Sequence, residues 1–217
     1  LKYMTAKEED ILTSANLIKK GIAIDKLIDA LILTKGVKQE DLLLGDKNAI
    51  MVGARILAYG PEYTCTIINP ETQEKMQHVF NLADCPFKKL PDGVHENRFE
   101  FELPVSKNKI TFKLLDGKDE KSMENELKSS KKLGQDIVPE LTTRFRYIIT
   151  SVDGDDEQSK INAIAQNMLS RDSLAFRQKI QEVTPDIQLK QEISIGGDVV
   201  EVDIPLTTEF FWPKSIG

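Results

Sequence analysis

Between Ala49 and Tyr59 the only charged residue is Arg55. A helix on a protein surface keeps a polar face; this stretch is apolar or small nearly all round, which predicts a buried helix. Asp46, following Gly45, is placed to cap its start, and Gly60-Pro61 stops it. Ala49, Gly53, Ala54 and Ala58 are small enough for neighbouring backbones to come close. Directly after the stop, Tyr63, Cys65 and Ile67 alternate as the inward side of a strand. A buried helix feeding straight into a strand requires the rest of the chain to pack around it.

Around this centre the pattern changes type more than once. Thr5-Ala6-Lys7-Glu8 is a capping box, and Ile11, Leu12, Ala15 and Ile18 continue a helix that Gly21 ends. A second helix is expected over 25–33, with Ile24, Leu27, Ile28, Leu31 and Ile32 inward, and a short turn over 39–43. Segments 62–68 and 75–81 read as one β-hairpin, turning at Pro70-Glu71-Thr72. Segments 97–103 and 109–115 read as another, turning at Ser106-Lys107-Asn108. Asp116 or Asp119 caps a polar helix that runs to about Ser130 and is broken at Gly134. Leu141, Phe145, Ile148, Ile149 and Val152 predict a helix over 139–152. Two more are expected over 157–169 and 172–183, and a last hairpin over 187–195 and 199–204. Helices, hairpins, helices and a hairpin in that order give an α+β fold, a helical core with several antiparallel hairpins. The parts are 1–60 (helical), 61–116 (hairpins), 117–186 (helical) and 187–217 (hairpin and aromatic tail). They form one compact domain or two interleaved ones.

Composition bears mainly on what the protein does not do. The 217 residues carry a formal net charge of -6, so nothing basic tracks a nucleic-acid backbone. No apolar run approaches the roughly 20 residues that span a bilayer. The two cysteines, Cys65 and Cys85, are no disulfide framework, which fits a reducing compartment. There is no glycine-rich phosphate loop and no nucleophile elbow. With His78 and His95 the only histidines, a zinc hydrolase or a His-based triad is hard to build. The acidic run 153–157 lacks the ligand spacing of a calcium loop and reads as a solvated loop before a helix. Cys65 reads as a small core residue, with no neighbouring cation to activate it.

Four residues stand out as structural or interaction candidates: Arg55, Phe210, Phe211 and Trp212. The Arg55 head either snorkels out of the core or is buried and held by a carboxylate or by carbonyls. The aromatic run near the chain end needs somewhere to bury. Side chains alternate along a strand, so Phe210 and Trp212 are expected on the body of the protein and Phe211 towards a partner.

Several motifs occur in one order. They are Thr5-x-x-Glu8-Glu9, Leu44-Gly45-Asp46-Lys47-Asn48, Arg55, Tyr59-Gly60-Pro61-Glu62-Tyr63, Val152-Asp153-Gly154, Arg171-Asp172-Ser173 and Phe210-Phe211-Trp212-Pro213. Taken as a set, nearly the whole chain resembles the baseplate hub subunit and hub-assembly family of T-even-type and related contractile-tailed bacteriophages. The resemblance implies a non-enzymatic structural or assembly role, with other baseplate or hub proteins as partners in a hetero-oligomer, and neither nucleic acid nor membrane. It implies work in the host cytoplasm during assembly, with the tail baseplate of the virion as a further location. The alternatives are a cytosolic hub-assembly chaperone absent from the virion and an enzyme acting on the cell wall. Many relatives carry a Cys-Pro-x-Cys turn in the first hairpin and a similar cysteine pair in the last, resembling zinc knuckles. Here the first turn is Asn69-Pro70-Glu71-Thr72 and the second lies around Ile193 to Gly197, so no metal and no cofactor are expected.

Overall fold

The structure is a computed structural model that describes residues 1–69, 72–92, 96–132, 137–195, 197–205 and 208–211. The expectations placed on Pro70, Glu71, His95, Gly134, Gly196, Trp212 and Pro213 lie outside the described residues. The fold is α+β. Its helices and strands run α1 (Ala6–Thr13), α2 (Ala15–Lys19), α3 (Ala23–Leu31), α4 (Leu44–Tyr59), β1 (Glu62–Ile68), β2 (Lys75–Asn81), β3 (Phe99–Glu102) and β4 (Lys109–Phe112). They continue with α5 (Gly117–Lys132), α6 (Glu140–Ile148), β5 (Ile149–Val152), α7 (Gln158–Asn167), α8 (Ser170–Val183), β6 (Lys190–Ile195), β7 (Asp198–Asp203) and α9 (Thr208–Phe211). Contacts group the chain into two units. One comprises Leu1–Gln39, Gly45–Lys88 and Asp186–Gly217; the other comprises Glu40–Leu44 and Lys89–Pro185.

In the first unit, β1 and β2 pair antiparallel from Glu62↔Asn81 to Ile68↔Lys75. Strict alternation buries Tyr63, Cys65 and Ile67 and leaves Glu62, Thr64, Thr66 and Ile68 outward. β6 and β7 form a second ribbon, from Lys190↔Asp203 to Ile195↔Asp198. One core joins Leu27 and Leu31 of α3, Val52 and Ala54 of α4, the inner residues of the first hairpin, Ile193 of β6 and the aromatics of α9. The longer of two excursions, 89–185, leaves and rejoins this unit at a backbone-paired stem: Gln188 N–H donates to the Pro86 carbonyl (2.9 Å) and Lys88 N–H to that of Asp186 (2.8 Å).

Four expectations change here. The first helix divides at Ser14, whose hydroxyl accepts from Leu17 N–H at 3.5 Å, so α2 starts afresh with its own cap. α4 begins at Leu44, so Asp46 lies inside its first turn and is not the cap. Nor is α4 buried all round: Gly45, Val52, Ala54 and Arg55 are buried, while Leu57 is exposed. A Cβ built on Gly53 would meet only the Leu1 side chain, at 3.5 Å, so Gly53 does not serve a close backbone approach.

In the second unit, β3, β4 and β5 form an antiparallel sheet in that order. Phe176 of α8 is fully buried among Phe101, Phe112 and Phe145, with ring centroids 5.2–6.2 Å away. The predicted helix over 139–152 ends at Ile148, and 149–152 becomes β5. Ile148, Ile149 and Val152 satisfy a helical spacing. The open edge of β4, however, offers backbone partners to a β-branched segment, and such residues favour the pleat. β5 pairs as Ile110↔Val152 and Thr111↔Ser151, with an irregularity before Phe112↔Ile149. The polar helix α5 is capped as expected, Asp119 N–H donating to the Asp116 carboxylate at 2.9 Å.

Candidate interaction site

Three of the four singled-out residues meet in the first unit, linked through a residue that was not singled out. Arg55 lies one turn before the end of α4 and is 3% exposed. Gly60, at φ +83°, turns the chain back so that two carbonyls face the guanidinium. Nη1 donates to the Gly60 carbonyl at 3.0 Å and Nη2 to that of Glu62 at 3.1 Å. The guanidinium carbon lies 5.0 Å from the ring centroid of Tyr59 and 5.9 Å from that of Tyr63. Among the described residues no carboxylate pairs with it, and its Nε has no hydrogen-bond partner. Burial pulls its pKa down. Two carbonyl acceptors at the negative end of a helix and two aromatic faces offset part of the desolvation cost. Of the two readings of Arg55, the buried head held by carbonyls is the observed one.

The tyrosines carry the arrangement outward from Arg55. The Tyr59 hydroxyl donates to the Glu9 carboxylate at 2.9 Å, tying α4 to α1. Burial, reinforced by that carboxylate, pushes its pKa up to about 12. Tyr63 is 1% exposed, and its hydroxyl donates to the Pro205 carbonyl at 2.9 Å. Its ring meets Phe210 edge to face, with centroids 5.1 Å apart, and Phe210 meets Phe211 the same way at 5.0 Å.

Phe210 is fully buried, as expected. Phe211 is buried too, at 7% exposure, which corrects its assignment to a partner-facing position. The alternation argument presumed a strand, but Thr208–Phe211 is a helical turn, and adjacent residues of a turn can both reach one core. Trp212, expected on the body, is among the residues outside the described set.

Other motif residues act as clamps, one local and two between distant segments. The Glu8 carboxylate is buried and accepts from Lys2 Nζ (2.8 Å), Thr5 N–H (2.9 Å) and the Thr5 hydroxyl (2.7 Å). Lys2 first and Thr5 second hold its pKa at about 2. In the second unit, Asp172 has no solvent exposure and accepts from Val105 N–H (2.7 Å) and Ser106 N–H (3.0 Å). Burial alone would raise its pKa; the Val105 and Ser106 backbone donors, with the Ser106 hydroxyl and Lys107, together outweigh burial and hold it below the usual aspartate value. Asp153, at φ +53°, accepts from Asn108 Nδ2 (3.0 Å) and Lys109 N–H (2.8 Å), which keep its pKa low. The loop read as merely solvated thus fastens the β3–β4 hairpin. Sequence reasoning missed both aspartates as clamps; their only signal was an aspartate at a helix start and another before a glycine.

Cys65 and Cys85 form no disulfide and are buried, and burial raises the Cys85 pKa, away from the reactive thiolate. Among the described residues no group of three or more His, Cys, Asp or Glu side chains could hold a metal ion. Among the described residues no helix is long and apolar enough to cross a membrane. The second unit has a trough of about 1020 Å³ over the solvent side of its sheet. Along it Glu100, Thr111 and Ser151 stand in register across β3, β4 and β5. Of its carboxylates, Asp153 is occupied by the hairpin clamp. Compared with known protein families, curated proteins and solved structures, the chain matches none.

Proposed function

We propose that this protein is a non-enzymatic structural or assembly component of a contractile bacteriophage tail baseplate, a hub component or hub-assembly factor that works by binding other baseplate proteins. One observation carries the reading. Among the described residues, the motif side chains whose contacts are given above hold the framework together and do not converge on one reactive centre. Thr5 and Glu8 fix the start of α1, and Arg55, Tyr59 and Tyr63 fix the turn from α4 into β1. Asp153 and Asp172 fix the β3–β4 hairpin, and Phe210 seats the last helical turn. A sequence signature made of clamps suits a family selected for shape and binding surface. A catalytic family would instead be marked by a nucleophile, base and orienting group within hydrogen-bond reach of one another.

Removing the protein from its phage tests the reading. Infected cells are expected to accumulate baseplate intermediates and no complete tails by electron microscopy. Complete, contractile tails in normal number would overturn the proposal. Mass spectrometry of purified particles then separates a resident subunit, present in the virion, from a chaperone that is left behind.

A further inference from the structure

We draw no further inference here: the strongest candidate, the polar trough over the solvent side of the β3–β4–β5 sheet, lined by Arg98, Glu100, Lys109, Thr111, Ser151 and Asp156, carries nothing because its hydroxyls and mixed charges are those of an ordinary hydrated sheet face and nothing in the structure shows what covers it.

Discussion

Tyr63 meets Phe210 edge to face at 5.1 Å while its hydroxyl donates to the Pro205 carbonyl at 2.9 Å. One side chain of β1 therefore holds the segment after β7 by two different forces. Packing supplies most of the stabilisation. Phe210→Ala is expected to cost about 3–5 kcal/mol, the usual range for a buried aromatic. Tyr63→Phe keeps the packing and loses one hydrogen bond, about 1 kcal/mol. Urea denaturation of the two variants measures the difference. Equal midpoints for Phe210→Ala and the unmodified chain would show that the last turn is not docked as described.

Phe211 belongs to the same prediction. At 7% exposure it is part of the core, so Phe211→Ser is expected to lower the stability of the isolated protein. A Phe211→Ser chain with an unchanged denaturation midpoint would restore the partner-facing assignment.

The hairpins were legible because burial on one face imposes a period of two. Tyr63, Cys65 and Ile67 face the core as their alternation requires, and the bounds of β1 and β2 follow. The segment 149–152 was not legible, because its apolar spacing fits a helix and a strand alike and a distant strand edge decided between them. Arg55 was found because it is the lone charge in an apolar run, yet its carbonyl partners depend on the turn at Gly60. Asp172 could not be read as a clamp, since its partners lie 66 and 67 residues earlier in the chain. Local pattern reports an element's face; it does not report which remote backbone donors a carboxylate will meet.

Arg55 gives a test of buried-charge chemistry. No carboxylate is stranded by its removal, so Arg55→Met is expected to avoid the roughly 3–5 kcal/mol loss of a broken buried ion pair. It leaves the Gly60 and Glu62 carbonyls without their donor, at about 1–3 kcal/mol each, partly offset by removing an unpaired buried charge. Arg55→Lys keeps the charge but cannot span both carbonyls, and is expected to be destabilising too. An unchanged unfolding midpoint for Arg55→Lys would contradict the two-carbonyl arrangement.

Acid sensitivity follows from Glu8. Its folded pKa, about 2, lies below the ordinary 4.5, so the unfolded chain takes up a proton first as pH falls. The stabilisation is fully present above the ordinary value and is lost between there and about pH 2. Asp172 and Asp153, both depressed, act in the same direction. Glu8→Gln is expected to be less stable than the unmodified chain at neutral pH, with the gap closing towards pH 2. Thermal unfolding across that range measures it. A gap that stays constant with pH would mean that the Glu8 charge contributes nothing.

At the alkaline end Tyr59 carries the opposite sign. Its pKa is raised to about 12, so the unfolded chain loses its proton first, and the contribution is lost as pH rises from the ordinary value of 10 to about 12. Tyrosinate absorbance should show a late-titrating component that disappears in Tyr59→Phe. If the variant titrates like the unmodified chain, the buried contact with Glu9 is not formed in solution.

The proposal that this protein works by binding baseplate proteins is tested most directly by affinity purification during infection. The chain, tagged and expressed in cells where the proposed parent phage is multiplying, is recovered and its companions are identified and quantified by mass spectrometry. The account predicts baseplate or hub proteins at near-stoichiometric levels, retained through a salt wash. Recovery of the chain alone, or with no baseplate protein above background, would contradict it.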